Sequence, residues 1–463
     1  MAPTNSSLLW ASSIDPDLCQ IALDSDHDNY DYDFEDVYEM NEISELDMFL
    51  TTPEEEIRLK KARKERWLHM RLSWVLHEKK LSHENEFDAT YGMSIQSFHY
   101  LVSILEPFLE RKSGKSRSLE VVSGRIIIAV AMRYLRGGHV LDLKNVYGLS
   151  KSEVYNCRDC FLKAVLDSDY LEIRMPDSAE EWERVRSEFQ SKSTDRFIDG
   201  CVGALDGFLQ KIICPRHSEV GANVECYRSG HYLCFGLNCQ AMVDASLKFM
   251  FFGVVAPGST NDNLAIERAQ GLMDIINLLP DGLFVVGDAA YSLAEHLLIP
   301  FIGSQAEHVE KDVYNYYISQ LRIRVEMAFG LFVKRFGILR TAIATSVKTA
   351  TKLMMVCARI HNFLLDRTKI EDDDTEQYPQ QSFSNRTRVR NSPHGMSYLP
   401  TIADSFEYVE GYSQIRQSIL ERIMQQGRRR PLHNIVRNAT RIATSRSESD
   451  LFEGIDRQIY QPR

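Results

Sequence analysis

Three apolar stretches in the middle of the chain are separated by turn residues and predict β-strands. They are rich in β-branched, aromatic and aliphatic side chains and cover residues 197–213, 232–243 and 248–255. The short segment 244–247 joins the last two, so the three strands are expected to form an antiparallel meander. A helix is predicted over 263–279, and the fully apolar run 283–286 predicts a fourth strand. Three strands, a helix, a strand and then helices are the order of an RNase H-like α/β domain.

Helical periodicity governs the rest of the ordered chain. Apolar residues recur every three or four positions within 87–190, and further helices are predicted over 312–336 and 351–365. Residues 57–81 read as one helix with many Lys and Arg residues. Its basic face suits contacts with phosphates, and an ordinary solvated helix face is an equal alternative.

A helix-turn-helix pattern lies inside the helical region. A short helix over 140–147 is followed by Gly148, and a second helix opens after Ser150, a favourable N-cap residue. The start of this second helix would present four residues to the edges of DNA bases: Lys151, Ser152, Asn156 and Arg158. An ordinary helical hairpin has the same sequence pattern.

Charge divides the chain into segments. Residues 1–56 hold sixteen of the 65 acidic residues and none of the 54 basic ones, which leaves 54 basic against 49 acidic residues in the remainder. This acidic tail is expected to be disordered, either as a solubilising segment or, because aromatic residues are interleaved, as an interaction segment. The expected organisation is therefore an acidic tail (1–56), a basic helix (57–86), a helical helix-turn-helix domain (87–190), an α/β domain (195–366) and a polar, partly basic, mobile region (367–463).

Several function classes are disfavoured. No run reaches the roughly 18 apolar residues of a membrane helix, and no secretory leader is recognisable. Nine cysteines in 463 residues do not suggest a disulfide scaffold and fit a reducing compartment. A glycine-rich phosphate loop is also missing from the sequence, so nucleotide hydrolysis is not expected.

Three acidic residues are candidates for metal-dependent phosphodiester cleavage, which needs carboxylates on rigid, converging elements. Asp206 stands inside an otherwise apolar strand, where burial of a carboxylate is costly without compensation. Asp288 directly follows a buried strand, at the edge where open α/β sheets bind ligands. Glu326 lies on a helix, in a polar stripe with Asn315, Ser319 and Arg322. The alternatives are turn or capping aspartates and a surface ion pair between Arg322 and Glu326.

Two further residues receive supporting roles. Arg322 would contact phosphate or orient Glu326. Asp262 has capping-box spacing from Ser259, so it is expected at the start of a helix, with a supporting or substitute ligand role as the alternative.

Five strings, in this order and spacing, make a family resemblance specific. They are Gly203-Ala-Leu-Asp-Gly207, Pro257-Gly-Ser-Thr-Asn-Asp262, Gly287-Asp-Ala-Ala-Tyr291, Val325-Glu-Met-Ala-Phe-Gly330 with Lys334-Arg-Phe336, and His361-Asn362-Phe363. Residues from about 87 to 366 thereby resemble the transposases of PIF/Harbinger elements and the HARBI-like nucleases, which carry a DDE superfamily endonuclease domain. Two positions depart from the family pattern. Phe208-Leu209 replaces a segment that usually contains His, and Met327 stands where Arg commonly follows the glutamate.

The resemblance implies an RNase H-like fold, Mg²⁺ or Mn²⁺ as cofactor, and a catalytic and metal-binding triad of Asp206, Asp288 and Glu326. It also implies DNA as substrate, possible strand transfer, a Myb-like partner protein and a homo-oligomer. A nuclear location is expected because the cluster Arg428-Arg429-Arg430 is typical of a nuclear-import or nucleic-acid patch, with a solvated surface as the alternative. The competing hypothesis is a domesticated nuclear DNA-binding or regulatory protein that no longer transposes.

Overall fold

The computed structural model describes residues 71–109, 122–269, 271–376 and 412–431. The acidic tail and most of the predicted basic helix lie outside these ranges. The first part of the described chain is all-helical. Its helices are α1 (Trp74–His83), α2 (Phe87–Tyr91), α3 (Ile95–Leu109), α4 (Gly124–Leu135), α5 (Val140–Tyr147), α6 (Lys151–Asp167) and α7 (Ala179–Gln190).

The prediction of one continuous helix over 57–81 is wrong at its described end. Residues 71–73 are not helical, and α1 begins only after Ser73, whose backbone is extended. The Leu72 amide donates to the Tyr147 carbonyl at 3.2 Å. Because this amide is bonded to α5, the segment is held in a tertiary contact and does not continue the helix.

Helices α5 and α6 are joined by a tight turn. Gly148 ends α5 in the left-handed conformation (φ 64°), which glycine adopts without strain. Ser150 and Glu153 then form a reciprocal capping box that starts α6. The amides of Ser150 and Glu153 are thereby satisfied, so the start of α6 is well defined.

A mixed, six-stranded sheet follows the helices. Its strands are β1 (Cys201–Lys211), β2 (Arg228–Ser229), β3 (Cys234–Val243), β4 (Phe249–Pro257), β5 (Phe284–Val286) and β6 (Leu297–Leu298). β1, β3 and β4 form the expected antiparallel meander, and β5 and β6 run parallel to β1 on its other side. The main sheet therefore has the order β4-β3-β1-β5-β6, with the two-residue β2 pairing only with the start of β3.

Helices cover the sheet and carry the chain past it. They are α8 (His217–Val220), α9 (Asp262–Arg268), α10 (Leu272–Asn277), α11 (Val309–Arg335) and α12 (Val347–Glu376). The single helix predicted over 263–279 is in fact two, α9 and α10. Gly271 stands between them with φ 79°, a left-handed conformation that interrupts a right-handed helix.

Part of the C-terminal region is helical, which corrects the expectation of a wholly mobile 367–463. Helix α13 (Gln414–Gln425) buries Ile419, Leu420 and Ile423, and the N-terminal amides of α13 donate to the Glu295 carboxylate. Beyond α13, Arg428 pairs with Asp195, and Arg430 pairs with Asp312 at 2.7 Å. Two of the three arginines at 428–430 therefore bind this protein's own acids.

No helix among the described residues is both long enough and apolar enough to span a membrane.

Candidate active site

Asp206 lies in β1, and Asp288 lies two residues beyond the end of the neighbouring strand β5. β1 and β5 are parallel, with Ala204 opposite Val286, and beyond this pair the two aspartates are close enough for the charge of Asp288 to act on Asp206. Adjacent strands are about 4.8 Å apart, which sets the scale of the backbone separation. Each aspartate accepts a hydrogen bond from the amide that follows it, Gly207 at 2.8 Å and Ala289 at 2.6 Å. Each carboxylate is thereby held against the backbone of its own segment.

The environment of Asp206 disfavours a negative charge. Burial, together with the charges of Asp288 and Asp262, raises the pKa of this carboxyl to about 8, against the opposing effects of Arg322 and the Gly207 amide. Asp206 is part-buried in the middle of β1. A cation brought close to Asp206 would favour its deprotonated form.

Glu326 reaches the same place from α11. Phe208, which shares a face of β1 with Asp206, packs on Phe329 of α11 with ring centroids 5.1 Å apart. Glu326 lies one turn before Phe329 on α11, and Arg322 links it to Asp288. The departure from the family pattern at Phe208 thus has a packing role beneath α11.

Arg322 bridges two of the candidate acids. Its Nη2 lies 3.0 Å from Glu326 Oε1, and its Nη1 lies 3.6 Å from Asp288 Oδ1. The arginine side chain is 25% exposed, so it is neither a free surface residue nor a core residue. Arg322 and Glu326 form more than a surface ion pair, because the same guanidinium reaches the sheet edge.

The rest of the predicted polar stripe on α11 does not join the site. The Asn315 side chain forms hydrogen bonds with both the amide and the carbonyl of Phe301, at 2.8 and 2.9 Å. Ser319 donates to the Tyr316 carbonyl. Only the Arg322–Glu326 end of the stripe faces the carboxylates.

Asp262 is not a capping-box acid. Asn261 is the N-cap of α9, and its side chain accepts from the Leu264 amide. The Asp262 carboxylate instead accepts from Gln240 Nε2 at 3.2 Å, with Asn238 Nδ2 at 3.4 Å. A Cβ at Gly207 would lie 2.4 Å from Asp262 Oδ1, so only glycine lets this carboxylate approach β1. The charges of Asp206 and Asp262 act on each other, which places Asp262 in the same acidic cluster.

A buried polar network supports the cluster and was not predicted from the sequence. Gln240 accepts from the Tyr291 hydroxyl at 2.6 Å and donates to Asn238 Oδ1 at 3.0 Å. Tyr291 follows Asp288 by three residues, so the network ties the Asp288 loop to Asp262. Asn238 and Gln240 alternate along the otherwise apolar β3, and this i, i+2 polar pair is the signal that would have revealed them.

Of the four residues predicted to contact DNA, Arg158 does not project from α6. Its side chain is 3% exposed, pairs with Asp159 at 2.8 Å, and lies against the rings of Tyr134 and Tyr155. Ser152 and Asn156 are exposed, and Lys151 is partly exposed. Arg158 is therefore part of the packing beneath α6, whereas the other three residues remain at its surface.

Comparison with known proteins identifies the domain that holds these acids. Residues 205–362 match the DDE superfamily endonuclease family. The chain carries a HARBI-like DDE endonuclease domain. The matched range begins one residue before Asp206 and ends at Asn362, so it includes all four acids and Arg322.

Curated relatives of the DDE domain are distant. The chain is 22% identical over 320 residues to "Protein ALP1-like" of Arabidopsis thaliana, which covers 65% of this chain and 76% of the relative. It is 22% identical over 279 residues to "Putative nuclease HARBI1" of Rattus norvegicus, which covers 60% of this chain and 76% of the relative. The Homo sapiens protein of that name is 21% identical over 279 residues, with the same coverage. No solved structure gives a significant match.

DDE endonucleases generally use divalent metal ions, and the donor chemistry here fits such ions. Asp206, Asp262 and Asp288 lie within electrostatic reach of one another, and carboxylate oxygens are the preferred ligands of Mg²⁺ and Mn²⁺. Within the described ranges, however, no three His, Cys, Asp or Glu side chains are gathered closely enough to ligate one ion. The acids of the DDE domain therefore form a cluster of the right chemistry, with Arg322 between Asp288 and Glu326.

Proposed function

We propose that this protein is a divalent-metal-dependent DNA endonuclease of the PIF/Harbinger transposase type. The observation that carries the proposal is the parallel register of β1 and β5. This pairing supports a site in the matched DDE domain, because Asp206 and Asp288 each follow the paired residues Ala204 and Val286 by two positions and Arg322 links Asp288 to Glu326. Sequence neighbours alone do not account for this convergence, because 81 residues separate the two aspartates and 37 separate Asp288 from Glu326.

We also propose that the fold of the DDE domain is RNase H-like. The strand order β4-β3-β1-β5-β6, with an antiparallel meander and two parallel strands beyond β1, supports it. The first acid lies in the central strand, the second at the end of the next strand, and the third on a later helix. This distribution is what the sequence resemblance leads one to expect.

Each acidic residue has a proposed role. Asp206 and Asp288 would hold the divalent ions, and Glu326 would complete the ligand set. When bound, the ions supply the activation of water and the neutralisation of charge on the phosphate. Arg322 reaches both Asp288 and Glu326, so it is placed to orient Glu326 and to contact the phosphate. Asn238, Gln240 and Tyr291 keep Asp262 and the Asp288 loop in place.

We propose that the start of α6 binds DNA at a distance from the cleavage position. Lys151, Ser152 and Asn156 are at its surface, and the capped turn before it presents the first turn of the helix. Contacts of Lys with phosphates make binding weaken as salt rises. Strand transfer, action as a homo-oligomer and a Myb-like partner are further parts of the proposal that rest on the family resemblance. A nuclear location is also proposed and rests on the basic cluster at 428–430.

The test is a cleavage assay with the full chain. Purified wild type and Asp288→Ala protein are incubated with Mn²⁺ or Mg²⁺ and supercoiled plasmid or labelled duplex DNA. We expect wild type to nick DNA only when the metal is present, and the variant to lose about a thousandfold or more of the rate. Binding of the same duplex is measured for both proteins as a control for folding.

Two outcomes contradict the nuclease proposal. Equal cutting by wild type and Asp288→Ala would show that the activity comes from elsewhere. Binding of duplex by both proteins without cutting would favour the domesticated regulatory protein instead.

A further inference from the structure

A short hairpin of β2 and β3 stands beside the acidic cluster and has no role in the mechanism above. β2 pairs with the first residues of β3, Arg228 with Phe235 and Ser229 with Cys234, and the tip consists of residues 230–233. The Tyr232 amide donates to Ser229 Oγ at 3.3 Å, so the tip has a defined conformation.

The tip exposes apolar side chains that a soluble domain usually covers. Tyr232 is 45% exposed and Leu233 is 75% exposed. Leu233 also adopts the left-handed conformation, with φ 51°, which is uncommon and strained for a branched side chain. Backbone strain and exposed apolar surface at one tip are features of functional segments.

The hairpin lies within electrostatic reach of the proposed catalytic acids. Burial and the negative charges of Asp262 and Asp206 together raise the pKa of the Tyr232 hydroxyl. The strand that leaves the tip, β3, continues to Asn238 and Gln240, which hold Asp262. Only the first residues of β3 thus separate Tyr232 from Asn238, which contacts Asp262.

The base of the hairpin is fixed to the loop that delivers Asp262. The Gly258 amide donates to the Gly236 carbonyl, and the Ser259 amide donates to the Cys226 carbonyl. A Cβ at Gly258 would lie 2.8 Å from the carbonyl oxygens of both Gly236 and Tyr227. Glycine at this position therefore permits the close approach, and the tip and the Asp262 loop are held as one unit.

The charge of the hairpin suits a nucleic acid. Residues 228–233 read Arg-Ser-Gly-His-Tyr-Leu, with a basic residue and no acid. Arg228 and His231 are exposed, and the His231 and Tyr232 rings meet edge to face at 4.6 Å. The aromatic ring and apolar neighbour at the tip, with the cation of Arg228 at the base of the hairpin, are the kinds of group that bind a base and its phosphate.

From these observations we infer that the 230–233 tip binds an unpaired base next to the cut. Tyr232 stacks on the base, and Leu233 enters the gap that the base leaves in the duplex. This inference rests on the proposed nuclease function and adds a specificity to it. The enzyme opens the duplex at the cleavage position. Tyr232 therefore contributes less to the cleavage rate when the base is already unpaired in the substrate.

The test compares Tyr232→Ala and Tyr232→Phe with wild type, and uses Tyr412→Ala as matched control because Tyr412 is a tyrosine with 75% exposure. Each full-length protein cuts a paired duplex with Mn²⁺, and then the same sequence with a mismatch at the mapped cleavage position. We expect Tyr232→Ala to cut the paired duplex about tenfold more slowly or worse, and the mismatched duplex within about threefold of wild type. Tyr232→Phe and Tyr412→Ala should cut both substrates like wild type.

A second readout does not need cutting. Permanganate oxidises unpaired thymines, so it is applied to a thymine-containing duplex bound by Asp288→Ala protein. Enhanced reactivity at one thymine, lost when Tyr232→Ala is added to Asp288→Ala, is expected. Equal cutting of the paired duplex by wild type and Tyr232→Ala, or equal slowing by Tyr232→Phe, would overturn the stacking inference alone. Wild type that cuts neither substrate would instead overturn the proposed nuclease function first.

Discussion

The DDE domain contains two polar clusters, both built from residues of the strings that resemble the family. They differ in whether their polar groups find partners inside the protein. The acidic cluster at the β1–β5 edge gathers carboxylates that repel one another. The clamp formed by Arg335, His361 and Asn362 lies at the β4 edge and is satisfied by the protein itself. Asn362 forms hydrogen bonds with both the amide and the carbonyl of Phe249, at 2.8 and 2.7 Å.

The imidazole of His361 in the clamp is held neutral. Burial and the charge of Arg335 together lower the pKa of His361 to about 3, against a hydrogen bond to the Leu247 carbonyl. The ring packs against Phe249 with centroids 4.9 Å apart. Polar groups that find all their partners inside the protein stabilise the fold, whereas carboxylates left facing one another call for an external cation. This difference in internal partners distinguishes the clamp, which stabilises the fold, from the acidic cluster, which is the proposed active site.

Asn362→Ala tests the structural side of this comparison and should have the largest effect on stability. The substitution leaves an amide and a carbonyl of the β4 edge without their partner. We expect the free energy of unfolding to fall by about 2–3 kcal/mol, as measured by urea denaturation. Asn156→Ala, at an exposed position of α6, is the control and should change stability by less than about 0.5 kcal/mol. An unchanged midpoint in Asn362→Ala would contradict the assignment of the clamp.

Arg322→Gln tests the bridge between the acids and should have a smaller effect, on activity only. The guanidinium contacts Asp288 and Glu326 from a partly exposed position, so its ion pairs add little to stability. We expect the nicking rate to fall roughly tenfold to hundredfold, with the unfolding midpoint nearly unchanged. Arg322→Lys should restore part of the rate. Full activity in Arg322→Gln would restrict Arg322 to a surface ion pair.

Asp206→Asn tests the charge at the site and should have the smallest effect, on thermal stability without metal. The folded pKa of about 8 lies above the ordinary value of 3.8. Between these values the folded state binds a proton that the unfolded state has lost, so stability falls as pH rises toward 8. Asparagine does not titrate, so the variant does not lose stability in this pH range. We expect the variant to melt about 3–6 °C above wild type at pH 8.5, with no difference near pH 4.

A higher melting temperature in wild type than in Asp206→Asn at pH 8.5 would show that the Asp206 carboxylate is already compensated inside the protein. Addition of Mn²⁺ should raise the melting temperature of wild type and leave that of the variant nearly unchanged.

The sequence predicted the strands well because their signal is local. β1, β3 and β4 begin within a few residues of the predicted boundaries, and the apolar run before Asp288 is indeed a strand. The register of β1 and β5 is not local, since it depends on which strands pair. The proximity of Asp206 and Asp288 was therefore a hypothesis from the family pattern until the topology supplied its geometry.

Other features of the fold depend on tertiary contacts that a sequence pattern does not contain. Arg158 has the spacing of a residue that projects from a recognition helix, yet it is buried against Tyr134 and Tyr155. Asp262 has capping-box spacing, yet Asn261 takes the N-cap and Asp262 turns to Gln240. The sequence of α13 is too polar to predict a buried helix. Its apolar residues are buried only because they pack against the rest of the protein.

The most direct test of the central claim is Mn²⁺ binding to the full-length protein without DNA, measured by the loss of the free-ion electron paramagnetic resonance signal. We expect wild type and Asn362→Ala to bind Mn²⁺ alike at a temperature at which both are folded, and a variant with both Asp206→Asn and Asp288→Asn to bind none. Equal binding by all three proteins would contradict the assignment of these two aspartates as the metal site.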